Sequence, residues 1–122
     1  NKMVDTIKIA TYEEVEKAFK KVKIDLLDRT AIYFGYFVKK KLVGVVGFQV
    51  YDNHLYLCHD FVLEQYRTQT IYTQLTNFRM KYIKDHYPGK LLVAFCTPSS
   101  LSTYFKQGFK VGNTLVKMVL EQ

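Results

Sequence analysis

Short apolar runs in the first half of the chain predict β-strands. Thr6–Ala10 alternates polar and apolar residues, as a short half-buried strand does. Three longer apolar runs predict a meander of strands over residues 31–38, 42–51 and 54–63. Lys39–Lys41 forms the turn between the first two of these strands. Gly44 and Gly47 inside the second run indicate a β-bulge, or the close approach of another chain or a ligand.

Apolar residues at helical spacing predict two helices. The first begins with a capping box, in which Thr11 caps the helix and Glu14 reaches back to it. The apolar stripes are Val15, Ala18, Phe19 and Val22 in the first helix, and Ile71, Leu75, Phe78 and Tyr82 in the second. Pro88-Gly89 ends the second helix. The apolar run 91–95 follows, and a strand–helix–strand unit of this length implies a right-handed crossover, so 91–95 runs parallel to 55–63.

The stretch from Val62 to Leu75 joins a strand to the second helix through a short polar turn. The first backbone N–H groups of a helix have no partner within the helix, and they lie at the positive end of its dipole. Such a turn is therefore a ready anion site. Arg67 lies in the turn and adds a positive charge to it.

This stretch resembles motif A of the GNAT superfamily of N-acetyltransferases, in which V-x-P-x-Y/F-R runs into R/Q-x-x-G-x-G/A and a helix. Val62, Tyr66 and Arg67 match in type and spacing. The glycines of the pattern are replaced by other residues, namely Thr68, Thr70 and Tyr72. Glycine lets the backbone approach a phosphate closely, so the resemblance supports the fold more strongly than the cofactor.

A second match to the superfamily follows the last apolar strand. Acetyltransferases of this kind carry N-x-x-A-x-x-(F/L)-Y-x-x-x-G-F, and Tyr104, Gly108 and Phe109 fit that pattern. Thr97 and Ser100 stand in place of its Asn and Ala. The resemblance implies one domain over residues 1–122 with an α+β fold. Its sheet is mixed and mostly antiparallel, with about six to seven strands and helices on both faces, and the last two strands flank Gly112-Asn113.

The same resemblance implies transfer of an acetyl group from acetyl-CoA to an amine by direct attack. It places the pyrophosphate and thioester of acetyl-CoA against one continuous part of the chain. Those residues are Phe61, Val62, Leu63, Arg67, Thr68, Gln69, Thr70, Ile71 and Tyr72. In the family a tyrosine on the later helix protonates the departing thiolate, and that role falls on Tyr104.

The general base is less fixed than the acid. In relatives it often lies about nine residues before the Arg of motif A, which is Cys58 here, or His59 if a bulge shifts the count by one. His59 has the ordinary pKa best suited to the task. Asp60 is a second candidate, either as the base or as the group that orients His59. Strand alternation puts Cys58 and Asp60 on one face and His59 on the other, unless a bulge intervenes.

Composition leaves three functions open. The net charge of +7 permits an anionic partner, and no apolar run approaches the roughly 18 residues of a membrane span. Cys58 and Cys96, without a CxxC pair, indicate free thiols in a cytoplasmic protein rather than a zinc or disulfide site. Besides an acetyltransferase, a binding module with a weakened cofactor loop is possible, in line with the missing glycines. A nucleic-acid-directed relative of phage type is the third function, and it requires Lys39–Lys41, Arg67 and Arg79 on one surface. Monomer and homodimer both remain open.

Overall fold

A computed structural model describes residues 5–21, 28–67, 69–112 and 118–121. Within these ranges the chain forms one sheet of five strands in the order β1-β2-β3-β4-β5. The strands are β1 (Thr6–Ala10), β2 (Ile32–Val38), β3 (Lys41–Val50), β4 (His54–Val62) and β5 (Leu91–Ala94). Strands β1 to β4 pair antiparallel, and β5 pairs parallel to β4. The predicted meander and the predicted parallel pairing of β5 with β4 are thus confirmed.

Three helices connect or follow these strands: α1 (Tyr12–Ala18), α2 (Gln69–His86) and α3 (Leu101–Lys106). The capping box at the start of α1 is present. The Glu14 backbone N–H donates to Thr11 Oγ1 at 3.1 Å, and the Thr11 backbone N–H donates to Glu14 Oε1 at 2.9 Å. Local sequence therefore sets the start of α1 before any tertiary contact is considered.

Helices cover both faces of the sheet, as expected, because each face has its own apolar cluster. On the α2 face, Phe34, Phe48 and Leu55 pack with Leu75. On the α1 face, the sheet residues Tyr33, Phe37 and Val45 pack with two helix-side residues, Val15 and Phe19. The sheet is therefore the middle layer of an α+β sandwich.

Strand β4 contains a bulge that breaks its alternation. Val45 pairs with Phe61 and Gly47 pairs with Cys58, so β4 has one more residue than β3 across this interval. His59 takes the left-handed backbone conformation there, with φ of 61°. That region is sparsely populated, but histidine is enriched in it among residues other than glycine. After the bulge, Asp60 lies on the same side of the sheet as Leu57 and the α2 helix.

Three sequence expectations require correction or fall outside the structure. The sheet has five strands in the described ranges rather than six to seven. The expected final pair of strands falls largely on 113–117, which lie outside the described residues, and 118–121 form no strand. The buried line of α2 runs through Ile71, Leu75, Arg79 and Ile83, whereas Phe78 is 38% exposed. The ring of Phe78 nevertheless contacts Phe34, with centroids 5.2 Å apart.

Candidate active site

A cleft opens where strands β4 and β5 separate. The two strands pair over four positions, from His54 opposite Leu91 to Leu57 opposite Ala94. Beyond this point a cleft of about 320 Å³ lies between them. Its walls are Tyr56, Leu57, Cys58, His59 and Asp60 of β4, Tyr72 of α2, residues 95–97 after β5, Ser100, and Tyr104 of α3.

A buried ion pair closes the α2 side of this cleft. Arg79 is fully buried, and its Nη1 donates to Asp60 Oδ1 at 2.7 Å while Nη2 donates to Asp60 Oδ2 at 3.0 Å. Arg79 Nη1 also donates to the backbone carbonyl of Gly47 at 2.8 Å. Arg79 thus links α2 to strands β3 and β4 at the position where the bulge interrupts the backbone pairing of these two strands. Two parallel hydrogen bonds to one carboxylate also fix the orientation of Asp60.

Two tyrosine hydroxyls complete the hydrogen bonding of Asp60. Tyr72 donates to Asp60 Oδ2 at 3.0 Å, and Tyr104 donates to the same oxygen at 3.1 Å. The carboxylate therefore accepts four hydrogen bonds, which matches its approximate number of lone-pair sites. These bonds connect Asp60 of β4 to helix α2 through Tyr72 and Arg79, and to helix α3 through Tyr104.

Burial and charge set the protonation of this network. Burial would lower the pKa of Arg79, but the Asp60 carboxylate outweighs that effect, so the pKa is raised and the guanidinium stays charged. Burial, followed by the negative charge of Asp60, raises the pKa of Tyr104 to about 12. The same two causes raise the pKa of Tyr72. Both phenols are therefore neutral hydrogen-bond donors at physiological pH.

His59 reaches the cleft from the opposite face of the sheet. Its ring lies 6.0 Å from the ring of Tyr33, which belongs to the apolar cluster beneath α1. Burial lowers the pKa of His59, and the nearby Asp28 and Asp60 carboxylates oppose this only in part. The imidazole is therefore neutral and able to accept a proton at neutral pH. By contrast, burial and then Asp60 raise the pKa of Cys58 to about 12, which leaves that group as an unreactive thiol.

In the turn between β4 and α2, the Arg67 side chain folds back onto the end of β4. Arg67 Nε donates to the backbone carbonyl of Val62 at 2.9 Å, and its guanidinium lies 5.1 Å from the centroid of the Phe61 ring. The backbone N–H of Leu63 donates to the carbonyl of Val43 at 2.9 Å. Part of the polar backbone that the sequence assigns to the thioester is therefore already paired.

The remaining residues of the turn differ in what they offer. Thr68 lies outside the described residues, and α2 begins at Gln69. Thr70 is exposed in the first turn of α2, whereas Ile71 is buried in the core between helix and sheet. Tyr72, at the third glycine position, extends its side chain across to Asp60.

The fold and the position of this cleft invite comparison with known proteins. A family model described as an acetyltransferase (GNAT) domain matches residues 6–118. The chain belongs to the GNAT acetyltransferase family. No curated protein matches it by sequence.

Solved structures of acetyltransferases share the fold of this GNAT chain at low sequence identity. An acyl-CoA N-acyltransferase from Pseudomonas aeruginosa superposes with a TM-score of 0.77 at 7% identity, over 93% of each chain. Glucosamine-6-phosphate N-acetyltransferase from Arabidopsis thaliana gives 0.72 at 10% identity, over 97% of this chain and 99% of its own. Ribosomal-protein-alanine N-acetyltransferase from Brucella melitensis biovar Abortus 2308 gives 0.67 at 18% identity, over 97% and 100%. Identities this low establish the fold and leave the substrate of this GNAT protein open.

Four of the predicted site residues line the cleft, namely His59, Asp60, Tyr72 and Tyr104. Six other predicted residues that the structure describes do not belong to its walls, namely Phe61, Val62, Leu63, Arg67, Thr70 and Ile71. The role of Arg79 was not predicted. Arg79 was considered only as part of a charged surface, and its burial removes it from such a surface. A signal was available, because Arg79 lies four residues after Leu75 on the apolar stripe of α2. A charge at such a position requires a buried partner.

Two further observations bear on other classes of site. Across the described ranges, no group of three or more His, Cys, Asp or Glu side chains is arranged to hold a metal ion. None of the helices in those ranges combines the length and the apolar character needed to span a membrane.

Proposed function

We propose that this GNAT chain is an acyl-CoA-dependent enzyme that moves an acetyl group from acetyl-CoA to an amine by direct attack. The observation that carries the proposal is the cleft between β4 and β5, where His59 and Tyr104 approach from opposite faces of the sheet. One group is a neutral base and the other is a protonated acid. This is the pair of groups that amine acylation requires.

The chemistry of the donors fits acetyl-CoA at its thioester end. Bound acetyl-CoA would supply the thioester carbonyl that the amine attacks. The backbone of Phe61, Val62 and Leu63 lines the end of β4 beside the cleft, and residues 67–72 would hold the phosphates at the start of α2. Two features depart from this fit. The Tyr72 side chain extends to Asp60, and the Leu63 backbone N–H and the Val62 carbonyl are already paired.

His59 is the residue we assign to deprotonate the attacking amine. Its imidazole is neutral because burial disfavours the imidazolium. The left-handed backbone conformation at the bulge turns this one residue out of the regular alternation of β4. The base is therefore held by the strand itself rather than by a loop.

Tyr104 is the residue we assign to protonate the departing sulfur. Its hydroxyl carries its proton at working pH and is held at 3.1 Å from Asp60 Oδ2. Asp60 then acts as a positioning residue for Tyr104, because two hydrogen bonds from Arg79 on α2 hold the Asp60 carboxylate in place. We assign no base role to Asp60, because its carboxylate is already paired with the Arg79 guanidinium and with two tyrosine hydroxyls.

A binding module without catalysis is a second candidate, and Tyr72 favours it. A bulky side chain stands where the family pattern has glycine, so the loop approaches a phosphate less closely.

The nucleic-acid-directed alternative has less support. Lys41 and Arg67 lie close to Tyr66 and Phe61 at one end of the sheet, but Arg79 is buried and cannot contribute to a charged surface. The free thiols of Cys58 and Cys96 favour a reducing compartment such as the cytoplasm.

The first test is calorimetric titration of the purified chain with acetyl-CoA, beside an Arg67→Ala variant. We expect a Kd in the micromolar range, about −8 kcal/mol, that weakens in the variant. Arg29→Ala is the matched control, since Arg29 is an exposed arginine paired with Glu13 on α1, away from the cleft. An absence of binding at near-millimolar acetyl-CoA would overturn the acetyltransferase proposal and favour the binding module.

Turnover is then tested with a panel of small amines, peptides and nucleic acids as acceptors. Released CoA should be quantified by chromatography, because the exposed thiol of Cys96 would react with colorimetric thiol reagents. His59→Gln and Tyr104→Phe should each remove most of the acetyl transfer. Activity that survives both substitutions would contradict the assigned roles.

A further inference from the structure

Tyr72 connects the two regions that a CoA thioester must contact. Its backbone lies in the first turn of α2, at the third glycine position of the motif A pattern. Its hydroxyl donates to Asp60 Oδ2 at 3.0 Å, next to the end of β4. The side chain thus runs across the cleft from the region assigned to the phosphates towards the region assigned to the thioester.

We infer that Tyr72 is a latch that closes the α2 end of the cleft, the end assigned to the phosphates, in the free chain. The inference rests on the proposed function. A ligand that reaches from the start of α2 to Phe61–Leu63 has to run through the space that the Tyr72 side chain now crosses. Acetyl-CoA therefore binds only after Tyr72 releases Asp60 and its ring swings aside.

The latch is firmly anchored at its far end. Asp60 is held by two hydrogen bonds from Arg79, which itself is tied to the carbonyl of Gly47. The acceptor therefore cannot follow Tyr72 when the ring moves, and opening the cleft breaks the hydrogen bond completely. Ionisation does not open the latch either, because burial and Asp60 keep the Tyr72 phenol protonated.

The latch and an ordinary ligand contact predict opposite changes in acetyl-CoA affinity when Tyr72 is removed. If Tyr72 gripped the cofactor, its removal would weaken binding. As a latch, its removal strengthens binding, because the cost of breaking the bond to Asp60 disappears. For Tyr72→Phe, which loses this bond but keeps the ring, we expect a Kd for acetyl-CoA that is lower by about tenfold. Tyr72→Ala removes the ring as well and keeps a good helix former, so its Kd should be lower still.

The experiment is calorimetric titration of wild type, Tyr72→Phe and Tyr72→Ala with acetyl-CoA, with unfolding curves to verify that each variant folds. Tyr51→Phe is the control, because Tyr51 is an exposed tyrosine whose hydroxyl contacts Gln49. Tighter binding in both Tyr72 variants, with the control unchanged, supports the latch. Equal or weaker binding in the variants overturns the latch while the proposed function stands. If acetyl-CoA binds none of the four proteins, both the latch and the acetyltransferase proposal are overturned.

Discussion

The ion pair between Arg79 and Asp60 makes a prediction about stability that needs no knowledge of the substrate. The perturbation is Arg79→Met, which keeps most of the apolar stem and removes the charge. The Arg79 side chain is 0% exposed and the Asp60 side chain 16% exposed. The substitution therefore leaves a carboxylate in a site that is closed to most solvent.

The cost of each substitution follows from what it leaves behind. Removing one partner of a buried pair costs roughly 3–5 kcal/mol of unfolding free energy. After Arg79→Met, the hydroxyls of Tyr72 and Tyr104 still donate to Asp60, so we expect a cost of about 3 kcal/mol. Asp60→Asn leaves a fully buried guanidinium facing a neutral amide, and we expect about 4–5 kcal/mol. The double variant Asp60→Asn/Arg79→Met removes both charges and should cost less than the sum of its two single substitutions by about 2 kcal/mol.

The assay is urea unfolding followed by far-UV circular dichroism, since the chain has no tryptophan to report by fluorescence. Equal m-values are required before free energies are compared. Arg29→Met is the control, because it breaks an ion pair whose side chains are 68% and 69% exposed and should not change the midpoint. The reasoning is refuted if Arg79→Met is as mild as this control, or if the costs of the two single substitutions in the double variant are additive.

Three further predictions concern the cleft and its scaffold. Tyr104→Phe should lower turnover roughly 10²-fold or more and leave the calorimetric Kd for acetyl-CoA unchanged, because the hydroxyl supplies a proton rather than binding energy. A loss of acetyl-CoA binding in this variant would instead show that Tyr104 serves to bind the cofactor. The rate constant kcat/KM should fall as the pH falls through an apparent pKa below 6.5, the ordinary value of histidine. The neutral imidazole of His59 is the active form, and its burial lowers its pKa. If the residual activity of His59→Gln shows the same fall in kcat/KM at low pH, His59 is excluded as the base. Gly47→Ala should cost about 1–3 kcal/mol of stability, because its Cβ would meet the Cys58 carbonyl oxygen at 3.0 Å. Gly112→Ala, where nothing lies within 4 Å, should leave the urea midpoint unchanged.

Local patterns predicted the elements whose signals are themselves local. The capping box depends on two residues three positions apart, Thr11 and Glu14. The alternation in Thr6–Ala10 predicted the strand, although Ile9, expected with Ile7 on the apolar face, is 58% exposed. The parallel pairing of β5 also followed from sequence, because a strand–helix–strand connection is right-handed with few exceptions.

The arrangement inside the cleft depends on pairings that no local pattern contains. The bulge at His59 arises from the register between β3 and β4. Gly44 and Gly47 indicated a bulge in the sequence but not its position in β4. Arg79 was hidden for a different reason, since its partners Gly47 and Asp60 are 32 and 19 residues away along the chain. The hydrogen bond from Tyr72 to Asp60 joins residues 12 positions apart and is likewise contained in no local pattern.

Because of the bulge in β4, the packing of the sheet does not depend on His59, the residue proposed as the base. His59 is the additional residue of the strand, so its deletion would leave Leu57, Asp60 and Val62 on the faces they occupy now. Evolution can therefore gain or lose an imidazole in this cleft by inserting or deleting a single codon, without repacking the core. Under the role proposed for His59, relatives that have lost this residue would keep an intact sheet, and the length of β4 would distinguish them from relatives that retain it.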